Sequence, residues 1–548
     1  MKTLPICFGS FLISLTMAPR CDAQEQKPAV LLDGLGAIHH PVSTKNAEAQ
    51  KFFDQGLRLI YGFNHDEAHR AFQRAAELDP QLGMAFWGMA LVLGPNYNRD
   101  ADEAHLKDAY AKVQKAVVLA KHAPEHERRY IEALTKRYAA DPAKADKKKL
   151  LQNYKQAMGE LCKQYPDDLD AATLYAESAM NLRPWDLWAK NGKPHEGTEE
   201  IVAVLESVIR RDPNHTGANH YLIHALEASP HPEHALASAD RLAKLAPKAG
   251  HLVHMPAHIY IRVGDYDAAA AACEKAAAVD HAYFTRFNIT GVYPMQYYSH
   301  NLHFGAAAHA MQGRYTDAMI CAEKLVGHAM PHVEKMPMLD AMMAMPTIIQ
   351  VRFQRWDDIL KSPAPDAKLI LSKAIWHHAR GMAFVAKSQL KEAEVEISAF
   401  EETYKTIPED RRFRRRNMAK SVLDIPRYVL KAKFNSIAKT NESNAAVRRY
   451  LVEAVAIQDE LHYAEPPDWP IPVREALGAA LLRMELAEDA EKVFRKDLEI
   501  NRRNPRSLFG LMESLKAQGK THAAEAVQQQ FEAAWRNAEG LKLNLADW

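Results

Sequence analysis

Two stripes of histidine, one repeat length apart, constrain this chain more than any other feature. The first reads N-H-Y-L-I-H-A-L-E and carries His220 and His224; the second reads H-L-V-H-M-P-A-H and carries His251, His254 and His258. Spacings of three and four put side chains on one face of an α-helix. Each stripe therefore marks a helix with imidazoles along one side. His220 and His254 are 34 residues apart, as are His224 and His258. Self-similarity at such a period means helical hairpins stacked into an array, each burying its apolar side against its neighbours.

The period recurs elsewhere. Counting from Ala49, Phe52 falls at position 4, Gly56 at 8, Ala68 at 20, Phe72 at 24, Ala75 at 27 and Pro80 at 32. The copy from Thr216 has Ala235 at 20, Ala239 at 24 and Pro247 at 32. The copies from Gly250 and Ser299 place glycine at 15 (Gly264, Gly313), tyrosine at 17 (Tyr266, Tyr315) and alanine at 20 (Ala269, Ala318). This pattern resembles the tetratricopeptide repeat family over most of the chain. The resemblance implies an all-α solenoid, a right-handed superhelix of about eight to ten helical hairpins. The stretches P-W-D-L-W at 184–188, H-Y-L-I-H-A-L-E at 220–227 and E-P-P-D-W at 465–469 together resemble a group of exported bacterial tetratricopeptide proteins.

In that family, positions 2, 5, 9 and 12 of the first helix line the concave groove. The resemblance thus assigns His220, His254 and His303 to position 5, His224 and His258 to 9, His251 and His300 to 2, and Glu227 to 12. Neighbouring helices pack roughly 8–10 Å apart, which lets imidazoles from adjacent helices share an ion. Neutral imidazole is a common metal ligand, and a histidine pair four apart is a bidentate clamp. The expected ligands are His220, His224, His254, His258 and His303, flanked by His251, His300 and Glu227. Imidazole ligation suits a transition metal ion such as Cu, Zn or Fe. Trp185, Trp188, Tyr297, Tyr298 and His378 are expected to line the ligand groove.

The 548 residues are 47% hydrophobic and carry a net charge of +1, so no global field directs the chain to nucleic acid or anionic lipid. The cluster Arg411, Arg412, Arg414, Arg415 and Arg416 reads as a solvated face. Lys2, the apolar run 5–18 and the small residues up to Ala23 read as a secretory signal cleaved after Ala23. The mature chain is then periplasmic or extracellular, with no transmembrane segment. Cys162, Cys273 and Cys321 remain after cleavage, an odd number without short spacings, which argues against disulfides or a thiolate metal site. Nucleophile triads, phosphate loops and dinucleotide fingerprints are absent from the sequence.

The expected organisation is a signal peptide at 1–23, an exposed lead-in at 24–46, a solenoid with the histidine-rich groove at 47–404, a basic helical connector at 405–446, and C-terminal repeats at 447–548. Insertions at 94–103 and 182–197 separate the two helices of their hairpins and should emerge on one edge, beside the groove. The methionines between Met330 and Met345 read as core filling. Two functions follow. One is an exported scaffold that binds a peptide, protein segment or small ligand in a metal-bearing groove; a polar groove without metal is its plainer form. The other is a metalloenzyme, a metal-dependent oxidoreductase or hydrolase built on the solenoid.

Overall fold

Capping and small residues set the first hairpins. Helix Ala47–Tyr61 begins where the Asn46 side chain accepts the amides of Glu48 and Ala49, and helix His65–Leu78 begins at Asn64, which caps Glu67. Phe72 fills the space behind them. A Cβ on Gly56 or Gly88 would lie 2.6 or 2.5 Å from its ring, so both positions must stay small. Phe494 sits between Gly478 and Gly510 in the same way. The computed structural model describes residues 29–540 and 542–545; the signal segment expected at 1–23 lies outside them.

The hairpins continue as Gly83–Leu93 with Glu103–Leu119, Glu125–Thr135 with Lys147–Gln164, Leu169–Met180 with Thr198–Arg211, Thr216–Leu226 with Leu236–Leu245, 250–263 with Tyr266–Phe287, and Ser299–Met311 with Tyr315–Ala329. Then come 340–352 with Trp356–Lys361, Ile370–Ala386 with Leu390–Lys405, Ala419–Asn435 with Asn441–Glu460, Val473–Arg483 with Ala487–Ile500, and Pro505–Ala517 with Thr521–Trp535. The packing is chiefly between helices adjacent in the chain. Pairing of β type among the described residues is limited to three isolated bridges. Among the described residues the solenoid thus has twelve hairpins, more than the eight to ten expected. Those at 125–164 and 419–460 lack the small-residue signature, so the period alone did not count them. Two first helices are broken at proline: Pro256 begins a new segment after Gly250–His254, and Pro346 lies at the start of Met345–Arg352. Proline has no N–H to continue the helical ladder.

Two expected segments differ in character. The lead-in is not exposed: Leu35, His40 and Val42 are buried. His40 pairs with Asp170 at 2.9 Å, and the Gly34 carbonyl accepts the Lys248 amide at 3.0 Å. Asp170 is buried and holds His215 as well, which ties the segment to two helices. The 405–446 connector instead contains a hairpin helix and an inward-folded segment at 406–418. The C-terminal repeats pack back onto earlier hairpins. Arg502 pairs with Glu233 at 2.9 Å, Lys190 with Glu460 at 2.9 Å, and the Thr316 hydroxyl donates to Glu539 at 2.7 Å. The last hairpins close over the histidine-bearing helices, so the expected open groove becomes an enclosed chamber.

Candidate metal centre

The histidines sort into two triads built to one plan. His220, His224 and His251 offer ligand nitrogens all within 4.8 Å of one another, and so do His254, His258 and His300. Each triad takes positions 5 and 9 of one repeat and position 2 of the next. Ring centroids in the first lie 4.8, 4.9 and 6.1 Å apart, and in the second 4.9, 4.7 and 5.4 Å. The expected grouping is therefore corrected in two respects. The pairs His220–His224 and His254–His258 do not converge on a single ion, because stagger between successive helices brings position 2 of the following helix to each pair. His251 and His300 are members, not flanks. His303 joins neither triad: its Nδ1 lies 3.4 Å from an Arg414 nitrogen, a cationic neighbour unsuited to a metal ligand.

Hydrogen bonds fix which nitrogen of each ring is bare. His220 Nδ1 donates to the Tyr61 carbonyl at 2.6 Å and His224 Nδ1 to Glu227 Oε1 at 2.9 Å. Their Nε2 atoms are buried and have no partner, as do both ring nitrogens of His251. His258 Nδ1 faces Glu227 Oε2 and, at 2.6 Å, Glu465 Oε2. His258 Nε2 then meets His254 Nε2 at 3.0 Å and His300 Nε2 at 3.3 Å. With His258 protonated, its Nε2–H is shared between the two neighbouring Nε2 atoms, and a metal ion in that proton's place would meet the same three nitrogens. Tetrahedral ligation at Zn–N distances of about 2.0–2.1 Å places ligand nitrogens about 3.3 Å apart, close to the 3.0 and 3.3 Å contacts made by His258 Nε2. His254 Nδ1 lies 3.4 Å from Cys273 Sγ, whose thiol burial keeps protonated.

The buried carboxylates place one positive charge here, and the His258 ring carries it. Burial holds His220, His251, His254 and His300 well below the ordinary imidazole value, so they are neutral and their lone pairs are available. His224 is lowered by burial too, against the pull of Glu227. For His258, burial also opposes charge, but the Glu227 and Glu465 carboxylates outweigh it and raise the ring to about 10. Burial would raise Glu227, yet His258 and His224 hold it near 2. Burial lifts Glu465 to about 7 against the pull of His258. Glu227 thus orients one imidazole of each triad, an arrangement of carboxylate, histidine and metal familiar from zinc sites.

Four segments cover the centre. From the 94–103 insertion, Tyr97 packs 5.1 Å from His224, and Asn98 accepts the Trp185 indole N–H. From the 182–197 insertion, Trp185 stands 5.8 Å from His224 in a left-handed backbone conformation, φ 61°. Such strain at a functional site is retained only where the surroundings enforce it. From 411–418 come Arg414, Arg415 and Arg416, and from 462–469 come Tyr463, Glu465 and Asp468. Together they enclose a cavity of about 90 Å³ beside His224, His258 and His300. Tyr297 lines it and packs on His251 at 4.6 Å.

Other expected groove residues lie elsewhere. The Trp188 indole donates to the Ala225 carbonyl and anchors its own loop. Tyr298 diverges from Tyr297 around a π-helical turn and packs on Phe284 and His328. His378 is buried edge-on to Trp469. The arginine cluster is not a plain solvated face: Arg414 binds buried Asp468 at 2.5 Å and Arg416 binds Asp186 at 2.9 Å. Glu465, Arg415 and the cavity methionines Met336, Met338 and Met342 were missed as site residues. The E-P-P-D-W stretch was the one signal for Glu465, but no register places a loop more than 200 residues from His258.

Residues 253–282 match a tetratricopeptide repeat family model. No curated protein matches the chain in sequence. Similar solved structures include a human IFIT1 dimer with m7Gppp-AAAA, 14% identical over 90% of this chain and 91% of that one, TM-score 0.34. Yeast Tom70 is 13% identical over 89% and 98%, TM-score 0.34, and the APC/C hetero-tetramer Cut9–Hcn1 is 12% identical over 87% and 78%, TM-score 0.32. Likeness at these scores says nothing of ligands. Among the described residues no helix is long and apolar enough to cross a membrane.

Proposed function

We propose that this tetratricopeptide-type interaction scaffold holds a transition metal ion on the Nε2 atoms of His254, His258 and His300 and admits a small ligand beside it. The observation that carries the reading is the meeting of those three nitrogens at 3.0 and 3.3 Å around His258, whose other nitrogen is held by two buried carboxylates. The His220, His224 and His251 triad supplies a second position under the same Glu227. Copper, zinc and iron all suit imidazole ligation. The chamber favours a compact ligand over a peptide, because its cavity is about 90 Å³.

A metalloenzyme is the second reading. It is favoured by His300, which is only partly buried and opens onto the cavity. Three protein ligands with one side open is the arrangement of catalytic zinc sites rather than structural ones. Export after Ala23 belongs to the same proposal and rests on the residue pattern at 1–23; N-terminal sequencing that finds Met1 on envelope material would refute it. For the centre itself, X-ray absorption of the metal-loaded protein is expected to show a nitrogen shell at about 2.0–2.1 Å with imidazole scattering. A first shell of sulfur at about 2.3 Å would instead assign the metal to Cys273 or the methionines.

A further inference from the structure

We propose that the small ligand of this chamber is a monoanion with an apolar tail, a carboxylate of roughly six to nine heavy atoms, and that Arg415 binds its charge. This deepens the metal reading, since it concerns the cavity beside the same triads.

Three consecutive arginines line that cavity, and two of them are committed. Arg414 bonds Asp468 and the carbonyls of Glu465 and Pro466; Arg416 bonds Asp186 and the Trp185 carbonyl. Arg415 has no ion pair or hydrogen bond among the described residues. It is held only by the face of Trp185, with its guanidinium carbon 5.4 Å from a ring centroid. The Arg415 side chain is solvent-accessible at the mouth of the cavity it lines, and the protein packed around it lowers its affinity for a proton. Its planar fork matches a carboxylate in two parallel hydrogen bonds.

The rest of the lining includes apolar chemistry. Met295, Met336, Met338, Leu339 and Met342 present thioether and alkyl surface. Methionine adapts its shape to flexible apolar groups. His251, with both ring nitrogens buried and unpartnered, lines the same cavity. Size then sets the limit. A water needs on the order of 10–15 Å³ of such space, so the cavity of about 90 Å³ takes a molecule of hexanoate's size and not a peptide. An anion held at Arg415 with its tail on the methionines would occupy the cavity that His224, His258 and His300 also line.

Calorimetric titration of the full-length, metal-loaded protein with hexanoate tests this. The expected result is saturable one-to-one binding of hexanoate. Binding of 1-hexanol, hexylamine and inorganic phosphate should be at least about tenfold weaker, as loss of a charge-assisted pair or of the apolar contact requires. Arg415→Gln should weaken hexanoate by about tenfold or more, and Arg415→Lys by less, with metal content measured in each sample. Equal binding of hexanoate and hexanol, preference for phosphate, or hexanoate affinity unchanged in Arg415→Gln would overturn the proposal. A protein that binds hexanoate through Arg415 but takes up no metal would refute the metal reading alone. One that takes up metal but no hexanoate would refute the anion reading alone.

Discussion

Glu227 is the residue on which both triads depend. It accepts from His224 with one oxygen and faces His258 with the other, at 1% exposure. Glu227→Gln keeps the shape and removes the charge that turns each Nε2 toward the centre. Its metal affinity is expected to fall about 10–100-fold, the range for lost supporting carboxylates, with helicity unchanged; competition against a chelator reads the difference. Affinity equal to the parent chain would mean that Glu227 is a packing residue. At this scale the histidine pattern was legible in the sequence, because spacings of three and four are read directly off a helix. The grouping was not. It depends on the stagger of neighbouring helices, which exchanged His303 for His251 and His300, and on Glu465, which reaches His258 from a distant loop.

Helices pack here through a few positions where a carbon atom or a charge decides the outcome. Gly510 faces Phe494, and a Cβ there would lie 2.1 Å from the ring. Gly510→Ala is expected to cost about 1–3 kcal/mol, as overpacked cores do, seen as a lower Tm. An unchanged Tm would show that the ring has room to move. Asp280 is buried where helix Tyr266–Phe287 meets Asn301 and Tyr293, accepting from them at 2.8 and 3.2 Å. Burial raises its carboxyl to about 7 despite both bonds. The folded chain therefore keeps a proton that the unfolded chain has released above about pH 4. This contribution is full below that pH and is lost as pH rises toward 7, by up to roughly 4 kcal/mol. Asp280→Asn should flatten the fall in Tm between pH 4.5 and 7.5, and parallel profiles for the two proteins would contradict the assignment. Gly56, Phe72 and the repeat glycines were readable from the 34-residue register. Asp280 was not, because nothing local marks an aspartate as buried.

The whole molecule is a solenoid closed on itself, and closure makes the site. Gly264 and Gly313, the turn glycines of successive repeats, have φ of 79° and touch the C-terminal hairpins: added Cβ atoms would lie 2.2 Å from the Arg502 carbonyl and 2.5 Å from Trp535. Gly264→Val combines left-handed strain with that clash. It is expected to loosen the closure, raising hydrogen exchange in the 462–469 loop that brings Glu465 to His258; unchanged exchange there would mean the loop is held independently. The turn glycines were legible as turns, but their long-range partners were not, since no local periodicity encodes where a superhelix returns. The proposed function stands or falls on metal binding. Elemental analysis of the purified full-length protein, before and after dialysis against Cu, Zn or Fe salts and a weak chelator, measures that directly. The expected result is at least one tightly held transition metal ion per chain, lost in the double variant His224→Ala and His258→Ala while circular dichroism stays helical. A wild-type chain that retains no transition metal at stoichiometric level would contradict it and leave the histidines as the polar lining of a ligand chamber.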